Sequence, residues 1–201
     1  MRKKVKTIMQ KKKLVIAITG ATGIIYAQRL LEFCALVPDV ETHLIISPAG
    51  QLTLKQETNI SLAELKALAD YVHNYQDIGN ALSSGSVKTT GMVVVPCSIK
   101  TLSAIANSYD ADLITRCADV HLKERRRLIL CVRETPLHLG HLRLMTQVAE
   151  YGAQIMPLVP AFYHQPQTID DIVNQSVARI LDQLDIAYPQ EAFTPWAGLK
   201  G

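Results

Sequence analysis

This sequence lacks the marks of a disulfide scaffold, a metal protein or a membrane protein. Its four cysteines, Cys34, Cys97, Cys117 and Cys131, form no CxxC pair and no metal-ligand spacing. Each lies in an apolar or helical stretch, where a free thiol behaves as a small hydrophobe. Disulfides and a zinc site are thereby excluded, no metal is expected, and a reducing, cytoplasmic compartment is implied. No apolar run approaches the roughly 20 residues that span a bilayer, so no membrane partner is expected. The start of the chain has no acidic residue, but it also lacks the apolar stretch of a secretory signal and an Arg/Ser-rich amphipathic pattern. Residues 1–12 therefore read as a basic leader without structure of its own, ahead of one domain over 13–201.

The body of the chain is also short of positive charge. The formal charge is +3, yet Arg2, Lys3, Lys4, Lys6, Lys11, Lys12 and Lys13 hold seven of the 21 basic residues. Without them 14 basic residues face 18 acidic ones. A nucleic-acid binder carries its basic residues on the folded body, as a patch or stripe, so that class is excluded. With 201 residues, 48% of them hydrophobic, the chain can bury one sizeable core.

What is present is an alternation of strands and helices. Leu14-Val15-Ile16-Ala17-Ile18, Met92-Val93-Val94-Val95-Pro96 and Leu128-Ile129-Leu130-Cys131-Val132 are continuous apolar runs of the kind that form buried parallel strands. Glu41–Ser47 reads as another strand and Ile155-Met156 as a short one. Helical patterning follows each: from Tyr26 to Cys34, Ala49 to Glu57, Ser61 to Asp70, Ile99 to Asn107, Leu113 to Lys123, Leu139 to Tyr151 and Ile169 to Leu184. Ser61 with Glu64 forms a capping box, and Thr168 is the N-cap of the last helix. The pattern predicts a single α/β domain with a doubly wound parallel sheet and helices on both faces.

Such sheets bind ligands at the carboxyl ends of their strands, near helix N-termini. Four stretches place polar groups there. Thr19-Gly20-Ala21-Thr22-Gly23 offers glycines for close backbone approach and a helix N-terminus for a phosphate. A nicotinamide-dependent reductase would need glycine where this chain has Tyr26, and no tyrosine has lysine four residues later. Ser83-Ser84-Gly85-Ser86 and Pro96-Cys97-Ser98 are a polar loop and a strand end that offer hydroxyls. Lys123-Glu124-Arg125-Arg126-Arg127 alone reads as a solvated helix end. Arg133-Glu134, however, follows the run 128–132 directly, where a charged pair serves a ligand.

The series GATG, SSGS, PCS, R-x-ADV-x-LKERR, Arg133-Glu134-Thr135-Pro136, AFYHQP and VARILD, in this order, resembles the UbiX-type flavin prenyltransferases, including small subunits that accompany phenolic-acid decarboxylases. The resemblance runs over residues 13 to 198. It implies a flavodoxin-like homo-oligomer, a dodecamer, with sites shared between subunits. It implies that Gly20, Ala21, Thr22, Ser47, Ser86, Ser98 and Arg133 hold FMN, and that Arg116, Lys123, Tyr163 and Arg179 grip the phosphate of dimethylallyl phosphate. Glu57 and Glu134 match acidic residues beside the reacting flavin, and Lys123 completes the catalytic set. The implied reaction moves a dimethylallyl group onto reduced FMN, and the prenylated FMN serves a UbiD-type aromatic-acid decarboxylase. The chain differs from the usual pattern at Thr22, Val132, Arg143-Leu144 and Pro195. Two other readings share the fold: a non-catalytic FMN-binding accessory subunit, and a flavin-dependent cysteinyl decarboxylase. The second requires an asparagine after the third buried strand, where Cys97-Ser98-Ile99-Lys100 has none, and an early histidine base, whereas His43 lies inside a strand.

Overall fold

A computed structural model describes residues 11–198; residues 1–10 of the expected leader lie outside the described residues. Six strands, β1 (Lys12–Ile18), β2 (Val40–Ile46), β3 (Tyr71–His73), β4 (Gly91–Cys97), β5 (Arg127–Val132) and β6 (Gln154–Ile155), form one sheet in the order β3-β2-β1-β4-β5-β6. Every pairing is parallel. This is the Rossmann order, and the five strands other than β3 follow the flavodoxin order. Seven α-helices accompany them, the last following β6: α1 (Ile24–Ala35), α2 (Pro48–Glu57), α3 (Leu62–Ala67), α4 (Ile99–Ala106), α5 (Leu113–Lys123), α6 (Leu139–Glu150) and α7 (Ile169–Asp182).

The continuous apolar strands divide their side chains between two cores. Leu14, Ile16, Ile18, Leu44 and Val93 pack with α1 and α7 on one face, joined by Leu54 of α2 and Leu65 of α3. Val15, Ala17, Met92, Val94 and Leu130 pack with α4, α5 and α6 on the other. Side chains that alternate between two covered faces explain why these strands read as unbroken runs.

Two expectations shift. Lys12, the last residue of the expected leader, opens β1: its N–H donates to the Asp39 carbonyl at 2.7 Å and its ammonium donates to the Asp185 carbonyl at 2.7 Å. The helix expected to reach Asp70 stops at Ala67, because Asp70 turns back to accept hydrogen bonds from the N–H and hydroxyl of Thr42. Edge strand β3 follows at once. Among the described residues no helix is long and apolar enough to cross a membrane.

Candidate active site

The chain reverses direction across the sheet between β1 and β4, and a cleft of about 430 Å³ opens at their carboxyl ends. Thr19 fixes its floor: its hydroxyl donates to the Pro96 carbonyl at 2.7 Å and accepts from Ser98 N–H at 2.8 Å, which stitches β1 to β4. Ser47 and Ser98 sit at the ends of β2 and β4 as N-caps of α2 and α4. Both line the cleft beside Thr19, Gly20, Lys100 and Thr101. Cys97 is no nucleophile here, since burial pushes its thiol up to about 12.

The reason for glycine at position 20 lies in packing as much as in ligand access. A Cβ there would stand 2.5 Å from Cβ of Ala49, in the first turn of α2. Gly20→Ala should therefore destabilise the fold by about 1–3 kcal/mol through overpacking. Adding Ala49→Gly should recover most of that loss by reopening the space, less about 0.5–1 kcal/mol for a glycine in a helix. Denaturant unfolding of the single and double variants checks this, and a double variant no more stable than Gly20→Ala would refute it.

The α1 N-terminus is already engaged. Gly23, its N-cap, has φ 109° and offers no side chain. The Glu57 carboxylate instead reaches across from the end of α2, accepting from Gly23 N–H at 2.9 Å and Ile24 N–H at 3.1 Å. A negative charge at a helix N-terminus is favourable. One of the donors that the GATG stretch offered to a phosphate, Gly23 N–H, is thus bonded to Glu57, which stands against the turn that carries Ala21 and exposed Thr22.

Ser83-Ser84-Gly85-Ser86 is braced from below. Arg126 donates to the carbonyls of Gly85 and Val87, and the hydroxyls of Ser84 and Ser86 lie 2.8 Å apart. Lys123 pairs with Glu124 at 2.9 Å, and Glu124 covers Gly85. Part of the basic run is therefore a loop brace, not a solvated end. Arg133 and Glu134 follow β5 as expected, exposed at the same edge of the sheet, with Arg133 N–H donating to the Cys97 carbonyl at 3.0 Å.

The four expected phosphate ligands do not meet within one chain. Arg116 lies on α5, paired with Asp110 at 3.0 Å and Asp119 at 3.1 Å. Lys123 ends the same helix. Tyr163 and Arg179 line a second cleft, of about 530 Å³, with Leu158, Gln175, Pro195 and Trp196. There Tyr163 donates its hydroxyl hydrogen to the Thr194 carbonyl and accepts from Gln175, while Arg179 pairs with Asp182 one turn along α7. Helices α5 and α7 pack on opposite faces of the sheet. The substitution at Leu144 has a structural role, since that side chain packs against the α4–α6 core.

Sequence reasoning missed several cleft residues: Lys100, Thr101, Asp112, Thr115 and Tyr75. The signal for three of them was present as capping spacing, Ser98 with Thr101 and Asp112 with Thr115. Burial and the bond to Asp112 raise the Tyr75 phenol above its usual range.

The Flavoprotein family pattern matches residues 2–181. The flavin prenyltransferase UbiX of Escherichia coli strain K12 is 59% identical over 187 residues, 93% of this chain and 99% of that one. A crystal structure of AnUbiX (PadA1) in complex with FMN and dimethylallyl pyrophosphate superposes with a TM-score of 0.89 at 47% identity, covering 95% of this chain and 100% of that chain. A dodecameric FMN-dependent UbiX-like decarboxylase from Escherichia coli O157:H7 gives a TM-score of 0.89 at 44% identity, over 92% of this chain and 100% of that one.

Proposed function

Because the chain belongs to the Flavoprotein family and, within it, to the UbiX flavin prenyltransferases, we propose that it transfers a dimethylallyl group from dimethylallyl phosphate to reduced FMN. The observation that carries this reading is the hydroxyl-lined cleft at the β1/β4 reversal, with Glu57 against its GATG turn. Its volume of about 430 Å³ lies in the range of small-ligand sites. Its lining of Ser47, Ser98, Thr101 and Lys100 fits the phosphate and polyol of a flavin mononucleotide, and Arg133 and Ser86 would extend the grip along the same edge. Reduced FMN, when bound, supplies the nucleophilic ring positions that take the allyl group.

The side chains supply the electrostatics. Breaking an allylic C–O bond leaves phosphate, and Arg116, Lys123, Arg179 and the Tyr163 hydroxyl would stabilise its charge in a pocket closed to water. Glu57 and Glu134 would hold and move the proton released when the new bond forms. Since α5 and α7 lie on opposite faces, those phosphate ligands would come together between copies of the chain, in a homo-oligomer of the dodecameric kind. The product would pass to a UbiD-type aromatic-acid decarboxylase in the cytoplasm.

The purified protein should retain FMN rather than FAD. Under anaerobic conditions, reduced FMN with dimethylallyl phosphate should yield a flavin heavier by one prenyl unit, read by mass spectrometry, and dimethylallyl diphosphate run in parallel would define the leaving group. Bound FMN that never gains mass with either donor would establish an accessory subunit instead. Retention of FAD or NADP would overturn the flavin reading itself.

A further inference from the structure

Two cleft residues outside the flavin-holding set are bonded to each other. Asp112 is the N-cap of α5, and one of its carboxylate oxygens accepts from Thr115 N–H at 3.0 Å. The other accepts the Tyr75 hydroxyl hydrogen at 2.6 Å. The Tyr75 carbonyl also accepts from Leu113 N–H at 2.9 Å, so residue 75 is tied to α5 by a backbone bond that any side chain would keep. The Tyr75 ring packs against the α4–α6 core.

Among the described residues that line this cleft, Lys100 and Asp112 carry the only formal charges. A carboxylate beside a phosphate subsite is a liability, because like charges a few ångströms apart repel even in a partly hydrated site. A short O–H···O⁻ bond spreads the carboxylate charge and turns that oxygen away from other partners. We propose that the Tyr75 hydroxyl masks the Asp112 carboxylate, so that Tyr75 is a specificity-determining residue that lets the cleft accept a phosphorylated flavin. The inference rests on the FMN reading above.

Tyr75→Phe removes the hydroxyl alone and leaves ring packing and the backbone tie in place. Its affinity for FMN should fall about tenfold at low salt, while its affinity for riboflavin, which has no phosphate, stays at the parental value. Raising the ionic strength should shrink the FMN loss. Asp112→Asn in the same protein should restore FMN binding, since asparagine caps a helix as well as aspartate and carries no charge. Asp112→Asn alone should bind FMN at least as tightly as the parent. Titrations of the full-length protein, followed by flavin fluorescence, read all four proteins against both flavins. Equal losses for FMN and riboflavin would show a merely structural role, and so would a double variant that stays weak; either overturns the masking role. Parental FMN affinity in Tyr75→Phe, or weaker FMN binding in Asp112→Asn, overturns it too. A parental protein that binds riboflavin as tightly as FMN would instead remove the phosphate subsite on which the inference stands.

Discussion

Replacing Arg179 with alanine is expected to lower both dimethylallyl phosphate affinity and turnover by about ten- to hundredfold while FMN binding persists. A charge-assisted hydrogen bond to a desolvated phosphate contributes roughly 1.5–3 kcal/mol, which sets that range. In the chain itself Arg179 pairs with Asp182, and that pair is half exposed, at 50% and 39%. Exposed pairs of this kind contribute less than about 1 kcal/mol, so the fold should hardly register the substitution. A phosphate held by Arg179 would draw it away from Asp182, at little cost for the same reason. Single-turnover kinetics with reduced FMN separate the two roles. A variant that prenylates flavin at the parental rate and affinity would confine Arg179 to the surface of α7.

The second large effect concerns acid. His121 is 1% exposed on α5, where its Nδ1 lies 2.7 Å from the Cys117 carbonyl and its Nε2 2.8 Å from the Thr89 hydroxyl. A carbonyl only accepts, so Nδ1 bears the proton and Nε2 receives the Thr89 hydrogen. Burial, above all, lowers the imidazole to about 4 from 6.5. The sign follows: between those values the unfolded chain binds a proton that the folded one refuses, so stability falls as pH drops from about 6.5 toward 4. The full loss is about 3 kcal/mol, of which about 2 kcal/mol should be gone at pH 5. Urea unfolding at pH 7 and pH 5 measures it. His121→Gln should flatten that difference whatever its own stability, and an unchanged slope would clear His121 of the effect. The same change would bear on function, since α5 carries Arg116 and Lys123.

Much of this architecture could be read from the sequence because burial on both faces leaves an unmistakable trace. The runs Leu14–Ile18 of β1, Met92–Cys97 of β4 and Leu128–Val132 of β5 are apolar and buried, as strands covered on both faces must be. β3 left no trace for the opposite reason. Tyr71 and Val72 are exposed at the sheet edge and three residues carry no periodicity. The cleft was legible at Ser98, which ends a strand, whereas Ser47 entered by resemblance alone. It was not legible at Tyr75 or Lys100, which reach it from a loop and from a helix start whose direction only the packed fold sets, while Asp112 left only its capping spacing. Glu57 was placed beside the flavin by resemblance, but its bonds to Gly23 and Ile24 depend on how α2 returns across α1, and no local pattern encodes that. The set Arg116, Lys123, Tyr163 and Arg179 could be listed from the chain, yet its division between two faces of the sheet belongs to the topology.

The two bonds that Glu57 accepts from the start of α1 narrow what evolution can place at that position. Glutamine would keep an acceptor for Gly23 and Ile24 and so preserve the helix cap, but it could not take up a proton. Aspartate would keep the proton chemistry proposed for this residue, on an arm one methylene too short for the same reach across from α2. A drifting lineage that lost prenyl transfer and kept only flavin carriage would therefore be free to exchange Glu57 for glutamine, whereas an active one would not. With the proton role proposed for Glu57, the residue at this position would mark silent members of such a family before any assay is run.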